Sequence, residues 1–382
     1  MKSTYLAALL VGLLATGASQ AAESSFISNH DHAPVSATQA RHDIFRVSLL
    51  GTGTPVPPVA SQAAESSFIS NHDHAPVSAT QARHDIFRVS LLGTGTPVPQ
   101  ISRGGYSTLV EAGNQKLVFD FGRNSATRLW QLHIPIGRVN AFFLTHFHSD
   151  HTNGLADLWL TGWLQPAYGQ RHAPMELYGP KGTTALARGL QQAYATDIAT
   201  RVKDEGTPLD GVEINSHEVT AGVVYNHDGV KVTAFDNDHG VNIKPSFGYR
   251  IDYHGHSVVL SGDTRYSPEV VKQAKGADLL VHCVSMTSAE QMKANPGYKA
   301  IANHLASPEQ AARVMNEAKP ALTVFSHIGL NGKIRVKDLA QDLRARYTGP
   351  FVIGNDLMQI DLPTTASGKG YALWQSENID NK

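Results

Sequence analysis

The sequence predicts an α/β protein in which two sheets pack together with helices outside. From Phe87 onward short apolar strands alternate with helical segments, some strands close enough for hairpins and others separated by a helix. The second observation is bulk: 382 residues, 41% of them hydrophobic, can bury a full core in one large or two modest domains. Periodicity leaves the order of the strands open.

Taken in order, residues 1–21 read as a secretory signal, with Lys2 as the positive start, Leu6 to Leu14 as a short apolar core and Ser19-Gln20-Ala21 as the cleavage site. The mature chain is therefore expected to be exported, periplasmic or secreted, with no membrane part once the signal is removed, because the apolar core is too short to span a bilayer. Residues 18–57 then recur letter for letter at 60–99. Only one copy can serve the fold, and the second is expected to, since its segment Ile86 to Pro97 is the one that continues into Arg103-Gly104-Gly105 and the strand Tyr106 to Glu111. Residues 22–84 are expected to be a duplicated, disordered extension, polar and without a sustained apolar period. The folded domain is placed at 85–362, with a tail at 363–382.

Within that domain Lys116 to Phe121 reads as a buried strand ending in Asp120-Phe121-Gly122-Arg123, and Ser125 to Leu132 as a helix. Helices are expected at Leu155 to Leu164, Thr183 to Tyr194, Pro268 to Ala274, Pro308 to Ala318 and Val336 to Tyr347. Strands are expected at Met175 to Tyr178, Lys231 to Phe235, Phe247 to Tyr253, Ser257 to Leu260 and Leu322 to Ser326, with Asp204 to Gly222 a polar interval. The aromatic segment Trp159, Trp163, Pro166 and Tyr168 is a candidate pocket wall, with core packing the commoner role for aromatic residues there.

Chemistry concentrates in Thr145-His146-Phe147-His148-Ser149-Asp150-His151, directly after the apolar run Val139 to Leu144. On an extended strand end His146 and His148 point to the same side and can reach one cation, while Asp150 and His151 follow the turn and can serve a second. Two cations sharing a water lower its pKa and neutralise charge that builds on a phosphoryl, sulfuryl or acyl oxygen. Asp150 is placed to orient that water and accept its proton. His239, Asp263 and His327 each close an apolar strand, and His304 precedes a helix. The 19 histidines point the same way, towards metal or proton chemistry. Lys plus Arg (32) nearly balance Asp plus Glu (33), so no overall field gathers nucleic acid or an anionic membrane. The single Cys283 excludes an internal disulfide.

These residues, in this order, resemble the metallo-beta-lactamase superfamily, in particular the branch of ribonuclease Z and the zinc-dependent arylsulfatases. The resemblance covers about residues 86–362. It rests on the His-x-His-x-Asp-His core and on Gly93-Thr94-Gly95, His239-Gly240, Phe247-Gly248-Tyr249-Arg250, Ser261-Gly262-Asp263-Thr264 and Phe325-Ser326-His327. It implies a four-layer alpha-beta/beta-alpha sandwich with a metal groove at one sheet edge. It also implies two Zn2+ ions, one on His146, His148 and His239, the other on Asp150, His151 and His327, with Asp263 bridging and His304 assisting the leaving group. Family members are often dimers, so a homodimer is expected.

One departure shapes the expected reaction. Ribonuclease Z usually carries His-Glu where this chain has His282-Cys283, and a thiol cannot steady an imidazolium as a carboxylate does. The expectation is therefore an exported binuclear zinc hydrolase of small-molecule esters, arylsulfatase first and phosphodiesters next, with nucleic acid not expected as a partner. A ribonuclease Z-like phosphodiesterase, a lactonase or a side-activity beta-lactamase is the alternative, and Asp263 counts against a true beta-lactamase. A non-catalytic metal-binding member is the reading from a different class.

Overall fold

The computed structural model describes residues 67–68 and 85–375. The expected signal at 1–21 and nearly all of the expected extension at 22–84 lie outside the described residues.

Two sheets carry the domain. In spatial order the first runs Ser67–Phe68, Ala372–Gln375, Met358–Leu362, Phe87–Gly93, Ser107–Ala112, Gln115–Phe119, Ala141–Phe143, Met175–Gly179 and Ile214–Glu218. The second runs Phe351–Ile353, Leu322–Asn331, Leu279–Thr287, His256–Leu260, Phe247–Tyr253, Val230–Asp236 and Gly222–His227. Each sheet is mixed. Phe87–Gly93, Ser107–Ala112 and Gln115–Phe119 pair antiparallel as hairpins, whereas Gln115–Phe119, Ala141–Phe143 and Met175–Gly179 are parallel and joined through helices. The second sheet repeats that division.

Alternation of side chains gives each sheet two apolar faces. Facing inwards, Val89, Leu91, Leu117, Phe119 and Phe143 of the first sheet meet Val232, Tyr249, Ile251, Val258 and Val281 of the second in one buried cluster. Facing outwards, Leu109, Val118 and Phe142 pack against Leu129, Leu155, Leu158, Trp159 and Trp163 from the helices Ser125–Gln131 and Leu155–Trp163. The outer face of the second sheet is covered by Pro308–Ala318, Val336–Arg346 and Pro268–Ala274, through Met315, Leu339, Leu343 and Val270. Helix, sheet, sheet, helix: the four-layer sandwich is the observed architecture. Each fully buried Leu or Phe in these layers contributes about 1.5–3 kcal/mol.

Several elements differ from expectation. The polar interval contains the strand Ile214–Glu218, and residues 195–205 form a further helix, Ala195–Glu205, with no buried residue. The segment expected as a tail adds the strand Ala372–Gln375, whose Trp374 donates to Asp361 at 3.0 Å and whose Leu373 packs on the core. Trp159 and Trp163 are completely buried under the first sheet, so they are core and not pocket wall; their indole N–H groups donate to the carbonyls of Val212 and Pro208. No helix of the described residues is long and apolar enough to cross a membrane.

Candidate metal centre

All seven residues expected as ligands converge, and the strand ends of both sheets deliver them. The strand Ala141–Phe143 is buried throughout and runs out at Leu144, where Tyr249 of the other sheet donates its hydroxyl to the Leu144 carbonyl at 2.7 Å. Phe247 N–H donates to the Thr145 carbonyl at 3.0 Å, which clamps the two sheets together just before His146. The chain then turns into the short helix Ser149–Thr152, carrying Asp150 and His151. Gly154 ends this segment because a Cβ there would lie 2.4 Å from the Gly122 carbonyl oxygen. His239 follows Val230–Asp236, and Gly240 beside it has φ 117°, a conformation open to glycine. Asp263 follows His256–Leu260.

His327 arrives by a different device. The sequence places it at the end of a strand, yet the strand Leu322–Asn331 runs past it. In the pairing with Leu279–Thr287, Cys283 faces Ser326 and Val284 faces Ile328, so His327 is the extra residue of a β-bulge. Its φ of 47° is left-handed, a strain of about 1–3 kcal/mol for a non-glycine residue, and the bulge re-aims its ring into the site.

The ligand atoms form two groups, His146, His148, His239 and Asp263, and Asp150, His151 and His327, each with all its atoms within 4.8 Å of one another. Asp263 Oδ2 stands 3.6 Å from His239 Nε2, 3.4 Å from His151 Nε2 and 3.2 Å from His327 Nε2, which makes it the shared member. Asp150 Oδ2 lies 3.1 Å from His327 Nε2, and His148 Nδ1 lies 3.1 Å from His239 Nε2. Ligands about 2.0–2.1 Å from a tetrahedral ion sit roughly 3.3–3.4 Å apart, so these separations fit ligand atoms around a common cation. Meanwhile the buried His146 Nε2, His151 Nε2 and Asp263 Oδ1 have no hydrogen-bond partner among the described residues. Buried polar atoms are rarely left so, and orphaned acceptors aimed at one another are what a cation satisfies.

Three of the other ring nitrogens are already held. His151 Nδ1 bonds Asp120 Oδ2 at 2.8 Å, His146 Nδ1 bonds Thr145 Oγ1 at 2.9 Å, and His239 Nδ1 bonds the His304 carbonyl at 2.8 Å. Each bond leaves Nε2 free to face the centre. Asp120 is the residue missed as part of the site. It is fully buried at the end of Gln115–Phe119 and also accepts Thr145 N–H and Thr145 Oγ1–H, both at 2.8 Å. The carboxylate after a buried strand, in Asp120-Phe121-Gly122, was its only signal.

Electrostatics agree. Burial and the neighbouring imidazoles hold His146 well below the usual histidine range, and burial also lowers His148 and His239, so these rings are neutral donors. Burial also opposes charge on His151, but the Asp263 and Asp120 carboxylates outweigh it and raise its pKa. Asp263 is pushed up by burial yet held well below the carboxylate range by His327 and His151. Tyr106 packs its ring 5.2 Å from His151 and 5.7 Å from His327, closing the floor against water.

His304 is half-buried beside His239, with ring centroids 5.7 Å apart. Its side chain has no hydrogen-bond partner among the described residues. Cys283 does not reach it: the thiol is buried, donates to the Thr264 carbonyl at 3.2 Å and accepts Thr264 N–H at 3.3 Å. Burial, with Asp263 nearby, pushes that thiol up to about 12, so it stays protonated.

A model described as a beta-lactamase superfamily domain matches residues 117–328. Ribonuclease Z of Mycobacterium bovis is 32% identical over 264 residues, 68% of this chain and 92% of that protein. The chain belongs to the metallo-beta-lactamase superfamily. Ribonuclease Z of Mycolicibacterium gilvum, 33% identical over 263 residues, covers 68% of this chain and 91% of its own length. Among solved structures, the metallo-beta-lactamase fold protein YhfI from Bacillus subtilis matches with TM-score 0.58 at 16% identity, covering 73% of this chain and 100% of its own. Human tRNase Z, short form, matches with TM-score 0.52 at 23% identity, covering 72% and 99%. Like the superfamily, the chain is a metal-dependent hydrolase of ester bonds.

These relatives correct one expectation. Nucleic acid was not expected as a partner, because of the expected export, the net charge of -1 and Cys283 in place of the family glutamate. Two relatives more than 30% identical to this chain, each covered over nine-tenths of its length, are named as ribonucleases. Net charge describes the whole surface, whereas engagement of a phosphodiester is decided by the local field in one cleft.

Proposed function

We propose that this chain is an exported metal-dependent phosphodiesterase of the ribonuclease Z kind, with two Zn2+ ions and RNA as the substrate class its relatives indicate. The observation that carries this reading is Asp263 placed between two sets of ligand atoms, with His146 Nε2 and His151 Nε2 left unpartnered, joined to the identity with ribonuclease Z. Phosphodiester cleavage thus moves ahead of the aryl sulfate cleavage that the sequence put first.

His146, His148, His239 and Asp263 would hold one ion and Asp150, His151, His327 and Asp263 the other. Bound there, two zinc ions lower the pKa of water and stabilise the charge that builds on the phosphoryl oxygens. The protein supplies the rest. Burial would push the Asp150 carboxyl up, but His327 and His151 keep it below the usual range, so it is ionised and able to take a proton from the attacking water. Asp120, Thr145 and the His304 carbonyl fix the rings so that nothing reorganises during attack. His304 borders the cleft and is the group to give the departing oxygen a proton.

A second reading, cleavage of aryl esters including aryl sulfates, is favoured by one observation: no carboxylate bonds His304, and Cys283 is turned to Thr264. An unsteadied imidazolium helps a ribose alkoxide least, and a phenol needs little help. The test is zinc-loaded full-length chain assayed with 3′-extended precursor tRNA, bis(p-nitrophenyl) phosphate and p-nitrophenyl sulfate. The reading expects cleavage of the diester and of the RNA, both abolished by Asp263→Ala. Release from the sulfate alone transfers the assignment to the second reading, and no release from any of them defeats both.

A further inference from the structure

The two ligand groups meet at Asp263 but are not built alike. Asp150, His151 and His327 are 2%, 0% and 2% exposed, whereas the other group has one exposed member, His148, on the exposed run Phe147 to Ser149. Charge differs too: with the shared Asp263, the Asp150 group offers an ion two carboxylates and the His148 group one. So does support. In the Asp150 group the His151 ring is fixed by Asp120, and the His151 carbonyl accepts Phe121 N–H at 2.7 Å. His327 has no partner for Nδ1 among the described residues, yet its bulge is pinned by Ile328 N–H to the Thr94 carbonyl at 2.9 Å, and its ring stacks on that of His151 with centroids 5.2 Å apart. His148 has no such brace. Its Nδ1 faces His239 Nε2 at 3.1 Å, and among the described residues no hydrogen bond holds its Nε2. Its ring touches those of His146 and His239, centroids 4.6 and 4.9 Å away, which are themselves ligands.

We propose that the two zinc ions are held unequally, an inference that rests on the two-ion reading above. Asp150, His151, His327 and Asp263 keep a resident ion, while His146, His148, His239 and Asp263 take an exchangeable one, about tenfold or more weakly. Three effects act in the same direction. A dication is drawn more strongly to two carboxylates in a dry pocket than to one carboxylate beside an imidazole that water screens. A ligand without a supporting hydrogen bond forfeits about 10–100-fold in metal affinity. The ion that binds first also repels the second across Asp263, which widens the gap. Turnover needs both ions, so free zinc at the exposed His148 side switches the hydrolase on and off while the buried side stays filled.

Calorimetric titration of the chelator-stripped full chain with zinc, in competition with a chelator of known affinity, reads the two steps independently of activity. Two equivalents are expected, in steps separated by about tenfold or more. His148→Ala should abolish the weaker step and leave the tighter one within about threefold of the parent. Asp150→Asn should weaken the tighter step by about tenfold or more, with circular dichroism as the control for folding, and His327→Ala is the second probe of that step should Asp150→Asn not fold. Two steps of equal affinity in the parent overturn the proposal and leave the two-ion reading standing, as does a tighter step that His148→Ala weakens about tenfold. A single equivalent at every zinc level removes the two-ion reading and the exchangeable site together. Dialysis to one zinc ion per chain, checked by metal analysis, should give a folded, inactive protein that regains turnover when zinc is added; full turnover at one ion per chain overturns the switch.

Discussion

Replacing Asp120 by Asn exchanges one carboxylate oxygen for an N–H2 group at a point where three donors converge. Oδ1 accepts Thr145 N–H, and Oδ2 accepts both Thr145 Oγ1–H and His151 Nδ1–H, all at 2.8 Å. If the amide nitrogen takes the Oδ2 position, it meets His151 Nδ1 as a donor, and the ring must carry its proton on Nε2, the atom that faces the cation. If the nitrogen takes the Oδ1 position, two buried donors face each other at Thr145, an arrangement that costs about 1–3 kcal/mol. Thr145 also fixes His146, so one substitution disturbs an imidazole in each ligand group. Loss of such a supporting partner lowers metal affinity about 10–100-fold, equivalent to about 1.4–2.8 kcal/mol, in line with the donor conflict. Competition between the stripped chain and a chromophoric zinc chelator measures this directly, with circular dichroism as the control for folding. A folded Asp120→Asn protein that binds zinc within twofold of the parent would refute the reasoning.

Three further outcomes are expected. Burial holds His282 down to about 4, against an ordinary 6.5, although its Nδ1–H bonds the Cys283 carbonyl; the unfolded chain therefore binds the extra proton, and stability present above pH 6.5 falls by about 3 kcal/mol on going down to pH 4. Urea melts at pH 7 and pH 5 should show a loss that His282→Asn reduces by about 2 kcal/mol, and an undiminished loss counts against this assignment. With its thiol pushed up to about 12, Cys283 should resist a disulfide reagent at pH 8 in the native chain and react with one equivalent after denaturation; stoichiometric reaction of the native protein speaks against the buried placement. Asp356 accepts Thr94 N–H at 2.9 Å and Gly104 N–H at 2.7 Å and pairs with Arg128 at 3.2 Å, so Asp356→Ala should cost about 3–5 kcal/mol in chemical denaturation, while a loss under 1 kcal/mol would show the network to be dispensable.

The ligands were legible because metal chemistry restricts residue type and the fold puts such residues at strand ends, where an apolar run stops abruptly. His146 to His151 after Val139 to Leu144 shows both signals in one stretch. Asp120 was harder, since a lone aspartate after a strand also suits a turn and nothing local says that its partners are Thr145 and His151. The bulge at His327 is invisible in one strand's pattern, because it exists only as a mismatch of register with Leu279–Thr287. Ile214–Glu218 and Gly222–His227 escaped because they are edge strands with exposed polar positions, so neither presents a continuous apolar face. Cys283 could be read as a departure from a family pattern, but only the fold shows its thiol turned to Thr264.

The central claim is that Asp263 joins two ligand groups into one centre that hydrolyses phosphodiesters. Titrating the chelator-stripped full-length chain with zinc, while following nitrophenol release from bis(p-nitrophenyl) phosphate, tests it most directly. Activity should rise to a plateau at two zinc ions per chain and be absent at every ratio in Asp263→Ala. A plateau at one ion, or full turnover in the stripped chain, would contradict the account.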